Sequence, residues 1–168
     1  YMYLYNGAGV GVGDFNNDGL TDVFFSGSQV SSRLYLNKGN LQFTDITEKA
    51  GLKTNRWATG VSIADVNADG LLDIYVCVAN NKYWQKNHEN LLFINQGSKN
   101  GIPSFSEMGK AYGLADSSYS TQAAFFDYDK DGDLDMYLLN NWIEKQNPNQ
   151  LRPKITDGTA PNNDKLFR

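Results

Sequence analysis

Three short loops of this sequence contain regularly spaced acidic and amide side chains. They read DFNNDGLTD from Asp14, DVNADGLLD from Asp65 and DYDKDGDLD from Asp127. Oxygen-bearing side chains recur at loop positions one, three, five and nine, and glycine stands at position six. A hard cation takes roughly six to eight oxygen ligands, which a tight loop can supply by turning alternate side chains inward. The spacing therefore predicts a cation site in each loop.

The charge in these loops is concentrated enough to need a counter-ion. Eleven of the nineteen acidic residues of the chain lie inside them. Carboxylates held this close repel one another once they lose water, and a divalent ion removes that repulsion. A solvated turn would use the same residue types, but three copies at one place in a repeat favour metal. Ca²⁺ is favoured over Mg²⁺ because the ligands are numerous, all oxygen and mounted on a flexible loop.

The helical calcium motif known as the EF-hand does not fit these loops. It requires glutamate at position twelve and a helix on either side. Phe25, Val76 and Leu138 occupy position twelve, and the flanking segments read as strands. The loops are therefore expected to join two β-strands.

The loops belong to a longer internal repeat. SRLYLNKG at 32–39 matches NLLFINQG at 90–97, and FTDITEKAGL at 43–52 matches FSEMGKAYGL at 105–114. Each unit contains short apolar runs rich in Val, Ile, Phe and Tyr and bounded by Gly, Asn and Asp, a pattern typical of strands. Four antiparallel strands in a unit of this length form the blade of a β-propeller.

The predicted fold class is therefore all-β, a β-propeller of four-stranded antiparallel blades. Residues 1–52 form a blade with the first loop, and residues 53–114 form a blade with the second loop. Residues 115–168 form an incomplete blade with the third loop, whose third strand, KLFR, follows a long insertion at 141–163. Closed propellers typically have about four to eight blades, so we expect this sequence to be part of a larger ring, with about two and a half to three blades present.

The triple loop and its surroundings resemble the integrin-α-like FG-GAP or VCBS repeats. The segment GVGDFNNDGLTDVFF, followed by SSRLYLNKG and FTDITEKAGL, is most similar to the branch of ASPIC/UnbV and cartilage acidic proteins. The resemblance covers the chain outside residues 141–163. It implies an extracellular or cell-surface propeller, often seven-bladed, that serves adhesion or assembly and is not generally catalytic.

The resemblance also implies a calcium ligand set for each loop. The ligands would be Asp14, Asn16, Asp18, Leu20 through its carbonyl and Asp22; Asp65, Asn67, Asp69, Leu71 through its carbonyl and Asp73; and Asp127, Asp129, Asp131, Asp133 through its carbonyl and Asp135. Three Ca²⁺ ions per chain are therefore expected.

Other classes of function find little support in the sequence. The formal net charge of −4 argues against a nucleic-acid partner. No apolar run approaches the roughly 20 residues of a membrane span. His88 is the only histidine, and no motif pairs it with a nucleophile. Cys77 is the only cysteine, so the chain can form no internal disulfide. The paired carboxylates lie in the metal loops, so no catalytic residue is predicted.

A recognition surface is expected on the face opposite the metal loops. In a four-stranded blade the first and third connections lie at one end, and the second connection lies at the other. Large insertions at residues 80–90 and 141–163 therefore project from the face without calcium. They display Tyr83, Trp84 and Trp142, aromatic types that often anchor interfaces. This face is predicted to bind a protein or carbohydrate ligand.

The expected function is thus a calcium-stabilised, non-enzymatic binding module at a cell surface, packed against the remaining blades of its propeller or within a larger surface assembly. One alternative is a propeller enzyme such as a calcium-dependent polysaccharide lyase, with catalytic residues outside this sequence. Another is a structural subunit of a surface complex. A basic and aromatic cluster in the channel would favour the enzyme, and variable insertions on the face without calcium would favour the binding module.

Overall fold

The computed structural model describes residues 7–79, 88–141, 155, 157–160 and 162–168. In these ranges the secondary structure is eleven β-strands, with no helix. The strands are β1 (Val10–Gly13), β2 (Asp22–Phe25), β3 (Arg33–Asn37), β4 (Phe43–Asp45), β5 (Ala58–Ala64), β6 (Asp73–Val78), β7 (Leu91–Lys99), β8 (Ile102–Glu107), β9 (Ser120–Phe126), β10 (Asp135–Asn140) and β11 (Lys165–Phe167). The prediction of an all-β chain is confirmed.

The strands form three antiparallel sheets with a shared order. The first sheet runs β1-β2-β3-β4, the second β5-β6-β7-β8, and the third β9-β10-β11. The register between second and third strands is equivalent in each, since Val23 pairs with Tyr35, Ile74 with Phe93 and Met136 with Phe167. The segment KLFR is therefore the third strand of the third sheet, as the sequence predicts. Each acidic loop joins the first and second strands of its sheet.

The first strands of the three sheets, β1, β5 and β9, lie side by side. Thr59 and Ser62 of β5 donate side-chain hydrogen bonds to the carbonyls of Ser120 and Ala123 in β9. The approach is closest at Gly60, where an added Cβ would lie 2.2 Å from the carbonyl oxygen of Thr121. Glycine is needed there because any side chain would push the two sheets apart.

The hydrophobic core consists of two layers, one on each side of the second sheet. Within β6, Ile74, Val76 and Val78 face the layer shared with the first sheet. Tyr75 and Cys77 face the layer shared with the third sheet. Both faces of β6 are covered, which explains why its sequence DIYVCV is continuously apolar rather than alternating. Sheets stacked face to face around adjacent first strands are blades of a β-propeller.

The acidic loops and the turns between third and fourth strands lie at the same end of the sheets. The Asn16 side chain in the first loop donates a 3.0 Å hydrogen bond to the carbonyl of Gly101, in the turn between β7 and β8. The aromatic residues predicted on the opposite face, Tyr83, Trp84 and Trp142, lie outside the described residues. In the part of the chain that the structure describes, no helix is long and apolar enough to cross a membrane.

Candidate metal sites

The carboxylate at position one closes each acidic loop. Asp14 accepts hydrogen bonds from the backbone N–H groups of Asp18, at 3.0 Å, and Gly19, at 2.7 Å. The second loop repeats this closure, Asp65 accepting from Asp69 (3.1 Å) and Gly70 (2.7 Å). In the third loop Asp127 accepts from Gly132 (3.1 Å) at position six and from Lys130 (2.6 Å) at position four instead of five. Each loop is therefore held as a tight ring by its own first residue.

Two positions in each loop adopt the left-handed backbone conformation. The glycines at position six have φ of 85°, 82° and 100°, as their place in the motif predicts. Position four is also left-handed, with φ of 56° at Asn17, 56° at Ala68 and 64° at Lys130. A side chain at positive φ costs roughly 1–2 kcal/mol. The left-handed conformation at position four cannot be predicted from the sequence, because three different residue types occupy that position.

The carboxylate at position nine is buried beneath each loop. Asp22, Asp73 and Asp135 have exposed fractions of 0%, 1% and 6%. They accept the backbone N–H of position two at 3.0, 2.9 and 2.9 Å respectively. Burial raises the pKa of Asp22 and Asp73, and the neighbouring loop carboxylates act in the same direction against the backbone hydrogen bonds. A cation placed beside these carboxylates would oppose the effect of burial.

The carboxylate at position five caps the second half of the loop. Asp18 accepts hydrogen bonds of 2.9 Å from the Asn16 side chain and from the backbone N–H of Leu20. The hydrogen bond from Asn16 is the largest influence that lowers the pKa of Asp18. The same arrangement recurs where Asp69 accepts from Asn67 and Leu71, both at 2.9 Å, and where Asp131 accepts from the backbone of Asp133 at 3.1 Å.

Carboxylate oxygens converge most closely in the third loop. Oxygens of Asp127, Asp129 and Asp135 all lie within 4.8 Å of one another, and no other three acidic, cysteine or histidine side chains of the described residues meet this closely. Asp131 and Asp133 stand outside this group. Position three is an asparagine in the other two loops, and Oδ1 of Asn16 is buried there without a hydrogen-bond partner. The converging carboxylates of the third loop and the unpartnered acceptor of the first loop each fit a hard cation, which takes oxygen ligands.

Asn37 and Asn95 support the loops and were not identified as functional from the sequence. The backbone N–H of Asn37 donates to Asp22 at 2.9 Å, and that of Asn95 donates to Asp73 at 2.8 Å. Each side chain also donates to the carbonyl of loop position eight and accepts from a glycine two residues later. The repeated segments LNKG and INQG contain these two asparagines, but from the sequence both segments were interpreted only as strands.

A basic group lies beside the third loop. The guanidinium of Arg168 is 3.7 Å from a carboxylate oxygen of Asp129 and 5.0 Å from the ring centroid of Tyr128, whose hydroxyl it also contacts. Nothing in the sequence pattern indicated this contact. It reduces the net negative charge that the third loop presents.

Comparison with known proteins identifies the repeat. Residues 14–76 match the model of the FG-GAP-like repeat family. Cartilage acidic protein 1 of Xenopus tropicalis is 30% identical over 135 residues, which cover 80% of this chain and 20% of that protein. The mouse and human proteins of the same name are each 29% identical over 136 residues, 79% of this chain and 20% of theirs. The chain thus spans about a fifth of the length of these relatives. These similarities and the three stacked sheets show that the chain has the integrin-α-like FG-GAP repeat fold.

Proposed function

We propose that this chain is a calcium-stabilised, non-enzymatic propeller module that binds a protein or glycan ligand at the cell surface. The observation that carries the proposal is the meeting of Asp127, Asp129 and Asp135 oxygens within 4.8 Å. The hydrogen bonds from position six to the carboxylate at position one, and from position two to the carboxylate at position nine, recur in all three loops. A group of carboxylates that close is favourable chiefly when a cation lies between them.

In this proposal the side chains at positions one, three, five and nine hold Ca²⁺ in each loop, and the backbone carbonyl at position seven adds a ligand. The first site would use Asp14, Asn16, Asp18, Leu20 and Asp22; the second Asp65, Asn67, Asp69, Leu71 and Asp73; and the third Asp127, Asp129, Asp131, Asp133 and Asp135. When bound, the ion supplies positive charge and cross-links the two halves of the loop. The chain itself supplies the left-handed turns and the buried carboxylate that hold the ring closed.

An extracellular setting is supported by the similarity to cartilage acidic protein 1, whose name refers to cartilage. Calcium sites of extracellular modules typically have a Kd of roughly 10⁻⁴ to 10⁻³ M. Exposed loops with several carboxylates, like these, suit binding in that range. The ion would then act as a permanent part of the fold rather than as a signal.

Ligand binding is proposed on the face opposite the calcium loops. The connections that leave β6 at Val78 and β10 at Asn140 depart from that face. They contain Tyr83, Trp84 and Trp142, which we propose as the contacts to a protein or carbohydrate. The partners that complete the assembly would be further blades of the same propeller or a larger surface complex.

The calcium part of the proposal is tested by thermal unfolding in calcium and in excess chelator. We expect a higher midpoint in calcium, since about 2.7 kcal/mol per site follows when the ion is 100-fold above its Kd. The variant D127N/D129N should show a smaller gain from chelator to calcium than the wild type. Each protein's own midpoint in chelator is the baseline, since an amide at position 127 keeps only one of the two oxygens that close the loop. An identical midpoint with and without calcium would contradict the proposal.

The ligand part is tested with panels of immobilised neutral oligosaccharides and extracellular matrix proteins. The variant W84A/W142A should lose capture of any ligand the wild type binds, with an unchanged midpoint of unfolding in calcium. Replacement by Ala of the exposed Val30, in the β2–β3 connection on the same face, is the control and should retain capture. Retention of capture by W84A/W142A would contradict the assignment of this face.

A further inference from the structure

We infer that Asn95 couples calcium binding at the first and second loops across the boundary between the first two sheets. This inference rests on the proposed calcium function. Asn95 lies at the centre of β7 in the second sheet and is 1% exposed. Its backbone N–H and its side chain both contact the second loop, at Asp73 and at the carbonyl of Leu72. The side chain also donates to the carbonyl of Phe15 in the first loop.

A chain of hydrogen bonds connects the two buried carboxylates at position nine. Asp22 accepts from the backbone N–H of Phe15 at 3.0 Å. The carbonyl of the same Phe15 accepts from Nδ2 of Asn95 at 2.9 Å. The backbone N–H of Asn95 donates to Asp73 at 2.8 Å. One peptide segment and one asparagine therefore separate a proposed ligand of the first site from a proposed ligand of the second.

The bridge is buried, which makes its rearrangement costly. Phe15 is 1% exposed, and its ring packs edge-to-face against Phe105 of β8, with centroids 6.1 Å apart. A Phe15 carbonyl that lost Asn95 would have no water to replace it, and an unsatisfied buried carbonyl is unfavourable. The backbone of Phe15, at position two of the first loop, is therefore held against the second sheet.

Two further contacts at the surface join the first loop to the second sheet, one to its β7–β8 turn and one to the second loop. Asn16 donates to the carbonyl of Gly101 at 3.0 Å, in the turn that follows β7. Asn17 donates to the carbonyl of Gly70 at 3.5 Å, at position six of the second loop itself. The first loop thus contacts the second site from the buried side and from the solvent side.

Asn37 provides the comparison within the same chain. It makes the same hydrogen bonds to Asp22, the carbonyl of Thr21 and Gly39, and all of them stay inside the first sheet. Among the described residues, no hydrogen bond joins the second loop to the third. Coupling is therefore expected between the first and second sites and not between the second and third.

The coupling should be positive. An ion in the first loop fixes Asp22 and the Phe15 peptide, which holds Asn95 in the orientation that supports Asp73. The ordering needed at the second site is then partly complete before its ion arrives, and binding is correspondingly tighter. Linkage requires the effect to be equal in both directions.

The test is a calcium titration followed by the backbone amide NMR signals of Gly19, Gly70 and Gly132, which report the three loops separately. In the variant D14N/D18N, which weakens the first site and keeps Asp22, the calcium midpoint at Gly70 should rise about fivefold or more. The midpoint at Gly132 should stay unchanged. In D65N/D69N, the midpoint at Gly19 should rise by the same factor.

Adding N95A to these variants should reduce the coupling factor towards one, whereas N37A should leave it intact. A second readout needs no change at Asn95: in D65N/D69N its side-chain NH₂ signals should shift with the midpoint reported by Gly19. In D14N/D18N, the NH₂ signals of Asn37 should not follow Gly70.

The outcomes separate this inference from the proposed function. If no glycine signal responds to calcium, both fail. If all three respond but the Gly70 midpoint is the same in wild type and D14N/D18N, the sites are independent and only the coupling is overturned. Equal loss of coupling in N37A and N95A, or NH₂ signals of Asn95 that do not follow Gly19, would overturn the role of Asn95.

Discussion

The buried carboxylate of Asp22 accepts a hydrogen bond of 2.9 Å from the backbone N–H of Asn37, from the start of β2 to the end of β3. Its second oxygen accepts the N–H of Phe15 at 3.0 Å. One side chain thus joins the first acidic loop to the third strand of its sheet. Asp73 makes the equivalent contacts to Asn95 and Val66, so the motif residue at position nine has a structural role as well as a proposed ligand role.

Replacing Asp22 by Ala should therefore destabilise the chain even without calcium. It leaves the backbone N–H groups of Phe15 and Asn37 without their acceptor, and a buried donor left unsatisfied costs roughly 1–3 kcal/mol. We expect the free energy of unfolding in chelator to fall by about 2 kcal/mol or more, measured by urea denaturation. Asp18→Ala is the control: the position is exposed, so water can accept from the N–H of Leu20 instead, and the loss should be smaller, about 1 kcal/mol or below. Equal losses for the two variants would contradict the role assigned to Asp22.

The left-handed backbone at position four predicts a stabilising substitution. Ala68 has φ of 56°, which glycine adopts without the steric cost of a Cβ, so Ala68→Gly should raise the free energy of unfolding by about 1 kcal/mol. Ala124, exposed in the extended strand β9, is the matched control. Ala124→Gly should lower the free energy of unfolding by roughly 0.5–1 kcal/mol. A thermal or urea unfolding assay should therefore give changes of opposite sign in the free energy of unfolding for the two variants. A decrease in both would contradict the left-handed geometry at Ala68.

Cys77 should report the opening of the layer between the second and third sheets. It is 0% exposed, and burial raises the pKa of its thiol to about 12. The folded chain should therefore react with a thiol reagent only through transient opening. If calcium binds the folded state alone, it should slow this reaction at least about tenfold when it is tenfold above its Kd. The rate in concentrated urea, with and without calcium, is the control and should be equal. Rapid labelling of the folded chain would contradict the packing of this layer.

The stabilisation by calcium should depend on pH. Burial raises the pKa of Asp22 and Asp73 above the ordinary value of 3.8. In calcium-free protein these groups contribute stability that is present below 3.8 and lost as the pH rises through their folded pKa. If calcium binds the deprotonated carboxylates, as proposed, its stabilising effect should grow over the same pH range and then level off. The difference in unfolding midpoint between calcium and chelator, measured from about pH 4 to pH 7, tests this. A difference independent of pH would contradict it.

The fold was accessible from the sequence because each strand carries its own pattern. The continuous apolar run of β6 corresponds to a strand covered on both faces. In β10, Met136 and Leu138 are buried while Tyr137 and Leu139 are exposed, the alternation of a strand covered on one face. The repeat then allowed the strands to be grouped into blades, because segments that recur at matching spacing do not arise from composition alone.

The loops were only partly accessible from the sequence. Glycine at position six was readable because few other residues adopt its conformation, but Asn17, Ala68 and Lys130 share a conformation and no chemistry. The role of Asn95 depends on the antiparallel register of β6 and β7 and on the packing of Phe15 against the second sheet. The contact of Arg168 with Asp129 likewise exists only in three dimensions. Calcium occupancy and the aromatic contacts at Tyr83, Trp84 and Trp142 remain predictions.

The number of calcium ions bound per chain tests the proposed role of the three acidic loops. Equilibrium dialysis against radioactive calcium, or isothermal titration calorimetry, on metal-free protein measures it. We predict three ions per chain, one for each acidic loop, with Kd values in the range of roughly 10⁻⁴ to 10⁻³ M. Absence of bound calcium at concentrations well above that range would contradict it.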